Sequence, residues 1–216
     1  MTTLAIRSTR KTTTNRLLTA GVVAAPFFTV LALAQAATRP GYDLTRHPVS
    51  MLAIGERGWI QTTNFVVCGL LMLVAAAGLR RARRGQKGGT WGPILLVTQG
   101  IGLLIAAVFE MDPGDGFPIG TPAGAPTTMS GHMILHNVGG SLTFFTLIAA
   151  CFVLARVFEK PWKFATPWKV AGRAAGVAFA VGLAWAMSGG AAGSLSLFLG
   201  VVIAWTWQSI SLARLG

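Results

Sequence analysis

Six long apolar stretches, separated by short segments that carry nearly all the charge, dominate the chain. They run from about Leu17 to Ala37, Trp59 to Leu79, Trp91 to Phe109, Met133 to Val157, Trp168 to Met187 and Leu195 to Leu212. Crossing the hydrocarbon core of a bilayer takes about 20 largely apolar residues in a helix. A spanning β-strand would alternate lipid-facing and inward positions over about 10 residues. These stretches are apolar on every side for longer than that. The pattern therefore predicts an all-α, polytopic membrane bundle of six transmembrane helices. Residues 1–16 then form a basic N-terminal segment and residues 17–212 the membrane domain.

The first stretch has a second reading. Arg7, Arg10, Lys11 and Arg16 precede it, and Ala34-Gln35-Ala36 resembles a processing site, the layout of a secretory signal peptide. Its apolar run exceeds the roughly 7 to 15 residues usual for such a signal, so a retained span is expected. Cleavage would leave five spans with the same orientation. Pro26 should bend the first helix, because its ring removes an N–H and crowds the preceding turn.

Charge sets the orientation. With both termini in the cytoplasm, the inner segments hold Arg7, Arg10, Lys11 and Arg16, then Arg80, Arg81, Arg83, Arg84 and Lys87. They also hold Arg156, Lys160, Lys163, Lys169 and Arg173, and finally Arg214. Only Arg39, Arg46 and Arg57 of the 18 basic residues remain outside. Basic bias in short loops fixes topology, so N-in/C-in in the cell membrane is expected. The acids do the reverse: Asp43, Glu56, Glu110, Asp112 and Asp115 fall outside and Glu159 alone inside. The formal net charge of +12 would suggest nucleic acid in a soluble protein. Here it lies in short runs between spans and meets anionic headgroups, so membrane lipids are the expected partner and nucleic acid is not. Charged residues are 11% of the chain, against about 25% in soluble domains. Trp59, Trp91 and Trp168 begin spans and Trp185 closes one, where an indole can sit at headgroup level.

Small residues predict close helix contacts. Gly172, Gly176 and Ala180 repeat every four residues, as do Gly102 and Ala106, and such spacing lets backbones approach. The first set could pack within the chain or hold a second copy in a homo-oligomer. Cys68 and Cys151 lie at different depths of their helices, so no bridge between them is expected. Gln61, Asn64 and Gln99 are polar within spans and are expected to bond between helices. No Lys, Asp or Glu sits at mid-span, where a coupled transporter usually needs one, so a small transporter is a remote alternative.

The reactive side chains gather on the outer side. His47, His132 and His136 all fall there, with five of the six acids. His132 and His136 are spaced i, i+4 at the start of the fourth helix, on one face, with Gly140 continuing it. Such a pair can fill two positions of a zinc tetrahedron, and His47 could supply a third. Asp112 or Asp115 could then ligate or act as base, the arrangement of a catalytic zinc with an open position. The plainer reading is that the histidines bond loop carbonyls or headgroups. Asp112-Pro-Gly-Asp115-Gly has the punctuation of a turn capped by aspartate and lacks the twelve-residue Ca²⁺-loop pattern. Arg46 and Arg57 could pair with the outer acids or hold a lipid phosphate. Ser50, three residues after His47, is a third catalytic candidate, but no nucleophile elbow surrounds it.

Several of these segments resemble a known family. Arg39-Pro-Gly-Tyr-Asp43, Arg46-His-Pro-Val-Ser50 and Gly58-Trp-Ile-Gln-Thr-Thr-Asn-Phe65 are similar to the first outer loop and second helix of a bacterial membrane family catalogued as domain of unknown function 998. Asp112-Pro-Gly-Asp-Gly-Phe-Pro118, His132-Met-Ile-Leu-His136 and Ala150-Cys-Phe-Val-Leu-Ala155 resemble its later motifs. The likeness covers roughly residues 20 to 212. It implies a six-helix membrane protein and supplies no activity. One Ser, one Asp and three His at one face are also similar in kind to the zinc site of alkaline ceramidase-like membrane hydrolases. There the serine precedes the first histidine and there are seven helices, so no role carries over. The expectation is an integral membrane protein with an outer His/Asp/Arg cap that binds lipid or a partner. The alternative is a metal-dependent hydrolase of a lipid or small amide.

Overall fold

The computed structural model describes residues 2–124, 126–158 and 162–215, with side chains from Thr12 onward. Glu159 and Lys160, and the side chains of Arg7, Arg10 and Lys11, lie outside the described residues. The chain forms helices α1 (Thr2–Thr38), α2 (Gly58–Arg83), α3 (Trp91–Val108), α4 (Gly131–Ala155), α5 (Ala165–Met187) and α6 (Gly193–Ala213), with a 3₁₀ turn at Val49–Ala53. Among the described residues, these six are long and apolar enough to cross a membrane, and there is no β-sheet.

Each apolar stretch yields one helix; most helices outrun their stretch, while α3 stops one residue short of Phe109 and α4 two short of Val157. α2 continues four residues past Leu79, and Arg80, Arg81 and Arg83 fill its last turn. Cations there complement the carbonyl end of the helix dipole. α4 starts two residues before Met133, where the Ser130 hydroxyl accepts from the Met133 N–H at 3.1 Å and so caps an orphan donor. α1 passes through Pro26 as a single helix.

The helices form a closed ring. Each packs on the next in chain order, α6 packs back on α1, and α4 also touches α6. Neighbours run antiparallel: Gly21 meets Ala75 and Gly78 meets Leu17, while Gly92 meets Leu154 and Gly102 meets Gly139. A Cβ on Gly102 would lie 2.5 Å from the Gly139 carbonyl oxygen, so these two backbones approach only because both residues are glycine. The main core runs the length of the ring and includes Leu18, Met72, Leu96, Leu147, Phe179, Trp205 and Leu212.

The small-residue stripe of α5 is used inside the chain. A Cβ on Gly172 would collide with the Trp207 ring, and one on Gly176 would lie 2.9 Å from Phe152. Trp59 and Trp91 are about two-thirds exposed, as headgroup-level indoles should be (66% and 65%). Trp168 differs: it stacks on Trp207 at 5.9 Å and carries the Arg214 guanidinium over its ring at 4.6 Å. Cys68 and Cys151 are buried and free.

This antiparallel order puts the connections 39–57, 109–130 and 188–192 at one end of the ring. The Ser194 hydroxyl, at the start of α6, donates to the Arg46 carbonyl at 2.8 Å and ties the third connection to the first. The opposite end carries the basic runs. There the Arg80 guanidinium donates to the Gly89 carbonyl at 2.7 Å.

Candidate functional site

The cap at the first of these ends is organised by one turn. The Gly114 and Phe117 N–H groups each donate to the other's carbonyl at 3.0 Å, enclosing Asp115 and Gly116. Asp115 has φ +53° and Gly116 φ +85°. Positive φ at both central residues is the type I′ requirement, and Asp-Gly is among the few pairs that accept it cheaply.

The turn aims Asp115 at the neighbouring connection. Its carboxylate accepts from the Arg46 guanidinium at 2.7 and 3.3 Å and from the Gly124 N–H at 3.3 Å. Its backbone carbonyl accepts from Arg46 at 3.2 Å, and its N–H donates to the Gly124 carbonyl at 2.7 Å. The Arg46 hydrogen bond holds the Asp115 carboxyl below the usual carboxylate range and raises the guanidinium.

His47 is buried against the same turn and both its ring nitrogens are spent. Nδ1 accepts from the Asp43 N–H at 3.0 Å, and Nε2 lies 2.9 Å from the Asp115 carbonyl oxygen. A carbonyl can only accept, so the proton sits on Nε2. The Asp43 carboxylate bonds the Thr45 hydroxyl at 2.7 Å and the Thr45 N–H at 2.9 Å, which lowers its pKa.

An apolar core underlies these bonds. Phe117 is fully buried with Met51 and Ile54, and Tyr42 and His47 pack on its ring at 5.5 and 5.4 Å. Burial, helped by the Asp43 charge, pushes the Tyr42 phenol pKa up, and its hydroxyl donates to the His47 carbonyl at 2.8 Å. Arg39 lies over Phe117 at 5.6 Å and donates to the Leu52 and Ile54 carbonyls at the end of the 3₁₀ turn. Burial and the nearby Arg57 charge lower the Arg39 pKa.

The other candidates take separate places. The Asp112 carboxylate accepts from the Ser130 N–H at 2.7 Å, which lowers its pKa and fixes the residue that caps α4. His132 is exposed, edge-on to Phe109 at 5.5 Å. His136 is buried, with Nδ1 2.7 Å from the Phe109 carbonyl oxygen, so it closes the α3–α4 corner. The inward face of α4 is thus His136, Gly139 and Thr143, where the sequence suggested His132, His136 and Gly140. Among the described residues, no three His, Cys, Asp or Glu side chains gather to hold a metal ion. Ser50 sits half-buried in the 3₁₀ turn, and the His47 nitrogens bond elsewhere. Arg57, at the start of α2, is exposed and forms no ion pair within the described residues.

Below the cap lies a polar layer in which Gln61, Asn64 and Gln99 bond as their place within spans predicts. Gln35 Nε2 donates to Gln61 Oε1 at 2.8 Å, and Asn64 donates to the Phe28 carbonyl at 3.2 Å, joining α1 to α2. Gln99 and Gln208 exchange amide bonds of 3.0 and 3.2 Å, joining α3 to α6. Gln35 and Gln208 are the partners that complete these pairs. Their signal was present, since an amide within an apolar span needs a partner.

A family model described as Protein of unknown function (DUF998) matches residues 22–214, nearly the whole chain. No curated protein and no solved structure gives a match. The chain belongs to that family, and it is an integral membrane protein.

Proposed function

We propose that this is a non-enzymatic integral membrane protein whose cap lies at the outer face of the cell membrane and binds phosphate-bearing lipid headgroups through Arg57. Both termini are cytoplasmic in this reading, as the excess of Lys and Arg at the opposite end requires. The observation that carries it is the closure of the cap on itself. The Asp115 carboxylate and backbone and both His47 ring nitrogens are committed to intramolecular bonds. A metal hydrolase would need those same groups free to converge on one ion or one water.

What the cap leaves free is suited to an interface. Arg57 is exposed two residues before the exposed Trp59, and its charge acts on Arg39, with no ion pair among the described residues joining either guanidinium to an acid. Two like charges held near each other favour an anion between them. Phosphate is the anion that Arg recognises at a headgroup surface.

The test is lipid retention by detergent-purified protein, read by native mass spectrometry alongside elemental analysis. Bound phospholipid that falls severalfold in Arg57→Ala, with no stoichiometric transition metal, supports the reading. Stoichiometric zinc that disappears in His132→Ala would sink it in favour of the hydrolase. Phospholipid retention unchanged by Arg57→Ala would remove the headgroup site.

A further inference from the structure

The membrane-facing side of α4 carries polarity that lipid cannot satisfy. Ile134, Val138, Ser141 and Phe145 follow at helical one-face spacing, and Asn137 lies beside Ser141 one turn earlier. All five are exposed. They line a shallow groove of about 470 Å³. Neither the Asn137 amide nor the Ser141 hydroxyl bonds another described residue.

Depth makes this costly. α4 is 25 residues long, and Ser130 caps it. At 1.5 Å per residue, Asn137 lies about 10 Å and Ser141 about 16 Å along the axis from that cap. Headgroups do not reach so far into a hydrocarbon core of about 30 Å. Asn is too short to reach back to the interface as Lys or Arg can. The other amides within the apolar stretches, Gln35, Gln61, Asn64, Gln99 and Gln208, are all buried in the ring. Among the described residues of those stretches, Asn137 is therefore the amide left facing lipid.

We infer that this face of α4 receives the same face of a second copy of the chain. The occupant follows from the chemistry. An amide is donor and acceptor at once, so across a two-fold axis Asn137 of one copy is complementary to Asn137 of the other. Ser141 adds a small donor and acceptor one turn along, and Ile134, Val138 and Phe145 supply the packing that membrane helices need. An acyl chain offers no hydrogen-bond partner at this depth. The surface is distinct from the α5 glycines, which are filled from within. It does not rest on headgroup binding at Arg57, which lies on another helix.

The experiment uses the full chain in liposomes, counted by single-molecule photobleaching over a range of protein-to-lipid ratios. A dimer fraction that rises with density is expected, with the midpoint displaced about fivefold in Asn137→Leu, the scale of an interhelical amide bond. Asn137 is exposed and its amide bonds no other described residue, so the variant should melt with the parent. In a second arm, Ser141→Cys should cross-link on oxidation in membranes, while Val181→Cys on the exposed face of α5 should not. Monomers at every density would overturn the inference, whether or not a different protein co-purifies. So would a dimer whose midpoint ignores Asn137→Leu and whose cross-link forms at Val181→Cys.

Discussion

At the residue scale the cap depends on Asp115, and its parts can be separated. The Arg46–Asp115 ion pair is exposed, 52% and 37% for the two side chains, so water screens the charge and it contributes little to stability. The left-handed backbone and the bonded carbonyl matter more. Asp115→Asn keeps both and should cost less than about 1 kcal/mol. Asp115→Ala loses the acceptors and puts an ill-suited residue at φ +53°, a strain of about 1–2 kcal/mol before the lost bonds are counted. Thermal unfolding in detergent should rank the parent above Asn and Asn above Ala; equal values for Asn and Ala would refute the backbone account. Acid acts on the same groups. Asp43, Asp112 and Asp115 all titrate lower folded than unfolded, so the unfolded chain binds more protons and stability falls as pH drops. Their contribution is complete above the ordinary carboxylate value of about 3.9 and is lost as pH falls through the lowered folded values. Spin labels on Glu56→Cys and Thr128→Cys should therefore hold one narrow distance from pH 8 to 5 and broaden below about 4. Broadening near pH 6 would assign the closure to other groups. The Asp-Gly turn was legible in the sequence because its chemistry is local. The kinds of bond were legible too, an outer acid for Arg46 and a loop carbonyl for a histidine, but their common partner Asp115 was not, because those bonds join residues 68 and 69 positions apart.

At the element scale, helix contact is decided by which small residue faces inward. The sequence holds Gly139 and Gly140 side by side, and a 3.6-residue period admits either on the face of His136. The structure places Gly139 there, where a Cβ would lie 2.6 Å from the Gly102 carbonyl oxygen, while a Cβ on Gly140 would meet only the Phe144 ring at 3.9 Å, an ordinary contact. Gly102→Ala or Gly139→Ala should separate α3 from α4 and destabilise by about 1–3 kcal/mol, the cost of overpacking. Gly140→Ala should be neutral or slightly stabilising by comparison. Melting temperatures of the three variants test this, and equal losses at Gly139 and Gly140 would contradict it. The Gln99–Gln208 pair gives a second test at this scale. Either single Leu substitution strands one buried amide, at about 1–3 kcal/mol, whereas the double substitution removes both and should recover most of the loss. Additive losses would show that the amides do not depend on each other. The sequence identified Gln99 but not its partner on α6, 109 residues away, because hydropathy places helices in the membrane without ordering them around the ring.

At the scale of the whole molecule, number and length of spans were legible because the bilayer demands them of the chain directly. The ring order was not, since any of several arrangements buries the same faces. What charge adds is direction. The described basic side chains Arg16, Arg80, Arg81, Arg83, Arg84, Lys87, Arg156, Lys163, Lys169, Arg173 and Arg214 belong to the end opposite the cap, and the cap carries Asp43, Glu56, Glu110, Asp112 and Asp115. A translocating loop with several cations is held back, so the basic end should stay in the cytoplasm. A membrane-impermeant maleimide applied to intact cells should then label Thr128→Cys in the cap and reach Arg84→Cys only after permeabilisation. The native Cys68 and Cys151 are buried and should give little background. The reverse labelling pattern would invert the topology, place the cap in the cytoplasm and move the Arg57 headgroup site to the inner leaflet. That leaflet is the richer in anionic lipid, so inversion would change which headgroup the cap meets while leaving its closed hydrogen-bond network intact.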